Sequence, residues 1–190
     1  MKLGVKCFDF IKADLYRYSG DTGLKSFIKQ YFNAEGFRFS VWLRICFFAK
    51  KRKFTKYSIF PLALVFFKHY KYKYGYDISY NADIGPGLLI FHISNIVLSP
   101  QKVGKNMTIS QGCTVGMVIK NGKKEFPTIG DNVYMAPGSK IIGGIVVGNN
   151  VGIGTNCVLN KSVDNNAIVV GIPGKVISYK GAQEYVNNPI

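Results

Sequence analysis

From Ile84 onward the aliphatic positions of the chain recur every six residues. Ile84, Ile90 and Ile96 open the series. After one extra residue, within SPQK, come Val103, Ile109 and Val115. Ile129, Met135, Ile141, Val147, Ile153 and Leu159 then follow in unbroken sixes. Glycine comes directly after many of these anchors, as at Gly85, Gly104, Gly130 and Gly148, and Asn106, Asn132 and Asn150 stand where a tight turn needs a residue tolerant of positive φ. Neither a helical period of 3.6 nor a strand period of 2 generates this spacing, whereas a longer fixed period marks a solenoid. The pattern predicts a triangular parallel β-helix in which each short strand turns one aliphatic side chain inward and three sixes close a coil. Twelve anchors make about four coils. Between Val115 and Ile129 the chain expels eight residues within GMVIKNGKKEFPT (116–128), and a loop on a rigid scaffold is where function concentrates.

Residues 5–73 follow a different rule. In KCFDFIKADLYRY, LKSFIKQYF and FRFSVWLRICFFAKK the apolar residues recur at three- and four-residue spacing, which predicts short helices. Breaks fall at SGDTG (19–23), NAEG (33–36) and KKRKFTK (50–56). The chain thus divides into a helical region over 1–75, a β-helix over 76–178 and a polar tail over 179–190, a mainly β fold with an N-terminal α-helical region.

Charge separates the same two parts. Residues 1–75 hold 16 basic and 4 acidic side chains, whereas 76–190 hold 9 and 6. A basic, aromatic-rich front fits an anionic membrane surface, an anionic ligand or nucleic acid, and also a solvated face or a helical cap packed on the β-helix. No nucleic-acid motif accompanies it. The four cysteines, Cys7, Cys46, Cys113 and Cys157, match no metal spacing and read as thiols of a reducing compartment. Met1–Gly4 leads into a segment whose charges break every apolar run, unlike a leader peptide, and SIFPLALVFF (58–67) is too short to span a bilayer. A cytoplasmic chain is expected, with peripheral contact at the inner membrane face as an option.

His92, in LLIFHISNIVLSP (88–100), is one of only two histidines. A lone histidine on an apolar strand is ordinarily a hydrogen-bonded core residue. With Ile90 and Ile96 as inward anchors, however, position 92 falls at or near a turn, where an imidazole can face a cleft. His69 lies off the repeat and reads as structural or interfacial. One histidine on the β-helix is too few for a three-histidine zinc site, so no metal is expected.

The segments YDISYNADIGPGLLIFH, VGKNMTISQGCTVG, PTIGDNVYMAPGSKIIGGIVVGNNVGIG and GIPGKVI resemble the hexapeptide-repeat, left-handed β-helix acyltransferases. The resemblance is to the serine acetyltransferase branch, and within it to relatives encoded with capsule and O-antigen genes. It covers 76–178 strongly and KADLYRYSGDTG and EGFRFSVWLRI more loosely. It implies a homotrimer, acetyl-CoA as donor, and active sites between neighbouring β-helices. By the same resemblance His92 is the general base and Asp77, 15 residues earlier, the carboxylate paired with it. Acceptor binding falls to Asp21 (with Asp14 as competitor), Phe91, Glu125 and Phe126. The donor groove falls to Met117, Ala136, Pro137, Lys140, Thr155 and Lys175, with a backbone N–H near Gly116–Met117 facing the oxyanion. Proline has no N–H, so contact at 137 would run by shape or through the Ala136 carbonyl.

Three departures from the branch bear on the acceptor. Phe91 replaces the Asp that usually precedes the catalytic His. Glu125-Phe126 replaces the Arg-His pair that helps hold the serine carboxylate, and a glutamate there would repel it. The expectation is therefore an O-acetyltransferase for a sugar hydroxyl of a surface polysaccharide or its lipid-linked precursor. Serine O-acetyltransferase and a non-catalytic β-helix scaffold are the alternatives.

Overall fold

The computed structural model describes residues 3–190, with side chains from Lys6 onward. Met1 and Lys2, part of the segment read above as unlike a leader, lie outside the described residues.

The first part is helical. Leu3–Ser19 (α1), Leu24–Asn33 (α2), Glu35–Ala49 (α3), Lys53–Ser58 (α4) and Phe60–Tyr74 (α5) are separated near the predicted breaks, although α4 already starts inside KKRKFTK. Gly75, at φ 66°, ends α5 in the left-handed conformation and releases the chain into the first strand.

The β-helix then has three parallel faces. One stacks Tyr76–Ile78, Ile96–Leu98, Thr114–Gly116, Lys140–Ile142 and Val158–Leu159. A second stacks Leu89–Ile90, Thr108–Ile109, Tyr134–Met135, Gly152–Ile153 and Ile168–Val170, and is closed by the antiparallel Lys175–Ser178. The third stacks Lys102–Val103, Thr128–Ile129 and Val146–Val147 between the single bridges at Ile84 and Val163. The repeat from Ile84 to Leu159 supplies four coils, and Ile78 before it with Val163 and Val169 after it complete a fifth. Ile78, Leu98, Val115, Ile141 and Leu159 are at most 1% exposed and run down one face as a continuous apolar column.

Side-chain ladders fix the corners. Asn106 donates to Asn132 and Asn150 to Asn166, all four at positive φ. At the same corner, one residue earlier in each turn, the Asp131, Asn149 and Asn165 side chains each accept a backbone N–H from the coil before, at 2.7–2.8 Å. A turn at positive φ would leave its amides unpaired, and these bonds satisfy them.

The helices are joined to the first coils by buried polar groups. Asp14, fully buried, pairs with Arg44 (2.9 and 3.0 Å) and accepts the N–H groups of Gly87 and Leu88, while Arg44 donates to the Ile84 and Gly85 carbonyls. Tyr18 Oη donates to the Ile90 carbonyl and accepts the Ile90 N–H. Gly36 sits so close beneath this strand that any Cβ would overlap the Ile90 carbonyl and the Tyr18 hydroxyl. Aromatic side chains of the helical part, among them Phe39, Phe67 and Tyr74, share one core with the β-helix anchors. The tail folds back along the coils: Tyr185 stacks on Tyr134, and Arg17 donates to the Asn187 carbonyl.

Candidate active site

The repeat is broken where His92 stands. Leu98, not Ile96, is the register partner of Ile78 and of Val115. Eight positions therefore separate the inward residues Ile90 and Leu98, and five separate Leu98 from Val103. The extra residue placed by the sixes within SPQK is thus two extra residues at Phe91–Asn95, with one lost afterwards. Sequence spacing missed this because Ile96 is itself buried and fits the pattern as well as Leu98 does. The result is a five-residue bulge, Phe91 to Asn95, exposed throughout and flanked by the buried Ile90 and Ile96.

Backbone contacts hold the bulge rigidly. Phe91 N–H donates to the Ile109 carbonyl, Ser94 N–H to Tyr74 and Ile96 N–H to Gly75, while Ser94 accepts from Gly112. Ser94 at φ 95° and Asn95 at φ 55° occupy left-handed backbone, and the surroundings must impose such a conformation on a serine. Tyr76, 1% exposed, donates its hydroxyl to the His92 carbonyl at 3.4 Å. His92 is exposed, with the Phe91 ring 6.3 Å from its own. The imidazole projects from the coil, not into the core.

Asp77 lies in the middle of the strand Tyr76–Ile78, alternating outward between two buried neighbours. Its carboxylate is held by Lys71 Nζ at 2.7 Å, and among the described residues no hydrogen bond joins it to His92. The expected pair is therefore on one side of the molecule but unjoined. Lys71 was not legible as Asp77's partner, because the contact forms only when α5 packs beside the first strand.

The acceptor candidates separate. Asp14 is consumed in the buried pair with Arg44 and is structural. Asp21 is exposed, accepts from Ser26 Oγ (2.5 Å) and the Gly23 N–H (3.2 Å), and these bonds hold its carboxyl below the ordinary range. Phe91 lines a cleft of about 240 Å³ between the helices and the second face, together with Arg17, Tyr18, Glu35 and Asn188. Gly20, in the Asp21 turn, lies beside Asn188. Glu125 ends the expelled loop, whose core is the hairpin Val118–Lys120 with Lys123–Glu125. Its side chain lies over Gly144, which has no room for a Cβ. Phe126 is half-buried beside it.

Two of the residues expected in the donor groove have hydrogen-bond partners within the chain. The Ala136 carbonyl accepts the Ser139 N–H (3.2 Å) of its own turn and the Cys113 thiol (3.1 Å) of the coil before. The Lys140 ammonium donates to the Gly112 carbonyl. Met117, Thr155 and Lys175 are exposed, and Pro137 is half-buried. All four cysteines are free thiols, and no group of metal-holding side chains occurs among the described residues.

No family model matches the chain. A serine acetyltransferase from Staphylococcus epidermidis is 44% identical over 108 residues, covering 56% of this chain and 51% of that protein. One from Staphylococcus xylosus is 38% identical over 133 residues, covering 70% and 59%. The chain thus spans about half the length of the curated relatives it matches. Among solved structures, serine acetyltransferase from Neisseria gonorrhoeae has a TM-score of 0.75 at 27% identity, over 92% of this chain and 66% of that one. The same enzyme in complex with serine has a TM-score of 0.74 at 26% identity, over 92% and 70%. These relatives overturn the expected sugar acceptor, and they give no support to the expected closeness to polysaccharide enzymes. The expectation against serine rested on Glu125 and Phe126 in place of the Arg-His pair, with Glu125 facing the substrate carboxylate, yet the Glu125 side chain is laid over Gly144 of the next coil. With its parallel β-helix and hexapeptide anchors, the chain is similar in sequence and fold to these serine acetyltransferases.

Proposed function

We propose that the protein is an acetyl-CoA-dependent serine O-acetyltransferase, acting in the cytoplasm where that donor is made. The observation that supports this most directly is His92, displayed on a bulge that the repeat alone would not produce, in a chain whose relatives carry that name.

A serine hydroxyl is a poor nucleophile at neutral pH. His92 accepts its proton as the oxygen attacks the thioester carbonyl; the new C–O bond forms, the C–S bond breaks, and the imidazolium returns the proton to the departing thiolate. A positioned base contributes roughly 10²–10⁴-fold to such a step. Asp77 serves the imidazolium by exchanging Lys71 for His92. The exchange costs little, because an ion pair this exposed is worth about 0–1 kcal/mol. Phe91 and the neighbouring cleft receive the acceptor, with Asp21 in the turn whose Gly20 lies beside Asn188 of the cleft wall. Met117, Pro137, Thr155 and Lys175 lie along the path of the donor. A homotrimer would complete each site from a neighbouring β-helix.

Release of the CoA thiol with L-serine, compared with release without acceptor, tests the reading. Serine-dependent release at a kcat/KM of about 10⁴ M⁻¹s⁻¹ or more supports it, whereas release indifferent to L-serine refutes the acceptor.

A further inference from the structure

The surface made by α4 and α5 is used by nothing described so far. Phe54 and Tyr57 on α4 are 81% and 71% exposed, and Leu62 and Val65 on α5 are 63% and 64% exposed. On α5, positions 62, 65, 69 and 72 form one outward stripe at helical spacing, whereas Ala63, Phe67 and Tyr74 form the stripe packed on the core. Apolar side chains this exposed, gathered on two consecutive helices, mark an interaction surface.

Charge indicates the partner. Residues 36–76 contain ten cations and no acid. Four are engaged: Arg38 and Arg44 in hydrogen bonds, Lys50 with Asn81, and Lys71 with Asp77. The other six, Lys51, Arg52, Lys53, Lys56, Lys68 and Lys73, are exposed on or beside α4 and α5, with Lys51 over the Phe47 ring and Lys56 over the Tyr57 ring. A second copy pressed against this face would bring six more cations to it, and residues 76–190, with 9 basic and 6 acidic side chains, offer no compensating acidic excess. Nucleic acid would suit the charge but gives Leu62 and Val65 nothing to stack on. A surface that is anionic outside and apolar beneath satisfies both features. None of the described helices is long and apolar enough to cross a bilayer, so the contact lies in the plane of the interface.

We infer that α4 and α5 dock the protein on anionic membrane, with Phe54, Tyr57, Leu62 and Val65 entering the headgroup boundary and the six exposed cations facing the anionic lipids. This stands independently of the proposed reaction. Flotation of the full chain with vesicles of phosphatidylcholine alone, and of phosphatidylcholine mixed with phosphatidylglycerol, tests it. Partition into the mixed vesicles is expected to exceed that into neutral ones by about tenfold or more and to fall with added salt. The double variant F54S/L62S is expected to lower it by about tenfold while leaving serine-dependent turnover and the unfolding midpoint unchanged. Equal partition into both vesicles, no partition, or wild-type partition by the variant would overturn the inference. So would duplex DNA binding without vesicle binding. Dissociation of an oligomer by F54S/L62S, with no vesicle binding by the wild type, would reassign the face to self-association.

Discussion

Tyr76 reaches across the widened turn to donate its hydroxyl to the carbonyl oxygen of His92, 3.4 Å away and one coil later. A core tyrosine thus sets the backbone from which the imidazole projects.

Tyr76→Phe removes that bond and keeps the ring packed against Phe39. A single such bond is worth about 0.5–1.5 kcal/mol. The expected result is roughly a fivefold fall in kcat with little change in the KM for acetyl-CoA and an unchanged far-UV circular dichroism spectrum, since the change loosens a positioned base and not a binding contact.

Arg44→Ala strips the fully buried Asp14 of its counter-charge and also breaks two bonds to the first coil. Removing one partner of a buried pair typically costs about 3–5 kcal/mol. Urea unfolding is expected to show a loss of that order, whereas Lys71→Met, which breaks an exposed pair, is expected to stay within about 1 kcal/mol of the wild type.

Asp77→Asn keeps the shape of the first strand and removes the charge assigned to the imidazolium. A fall in kcat of about tenfold or more is expected, while Lys71→Met retains turnover because it leaves Asp77 free. Equal losses in the two variants would show that the Asp77–Lys71 pair acts only as structure.

Stability is expected to decline in alkali. Burial pushes the Cys46 thiol from its ordinary 9.0 up to about 12, and burial also pushes Cys7 to about 11 against the pull of Arg44. The folded chain therefore holds these protons more tightly than the unfolded chain. The stabilisation is full below about pH 9 and is lost as pH rises beyond it. Tyr18 and Tyr76, raised by burial, act in the same sense, while Arg17, lowered by burial to about 10, opposes them only above that value. Urea midpoints measured at about pH 8 and pH 10 should fall with pH; a midpoint that rises would contradict the burial of these groups.

The β-helix was legible because a coil corner every six residues forces an aliphatic anchor every six residues, and the helices because their apolar faces repeat at three and four. The bulge at Phe91–Asn95 was misplaced because Ile96 and Leu98 are both buried, and only strand register distinguishes them. The Asp77–Lys71 pair, the capture of Lys140 by Gly112 and the folding of Glu125 over Gly144 depend on contacts between neighbouring elements and coils, which no local pattern encodes. The acceptor was misread for the same reason: residue identity at 125 was visible, but the direction of its side chain was not.

The central claim is that His92 is the base for acetyl transfer to serine. Turnover of acetyl-CoA with L-serine should be measured for the wild type and for His92→Ala, with folding confirmed by circular dichroism. The account predicts a fall in kcat of roughly 10²–10⁴-fold with the fold intact. Wild-type turnover by a folded His92→Ala protein would contradict it.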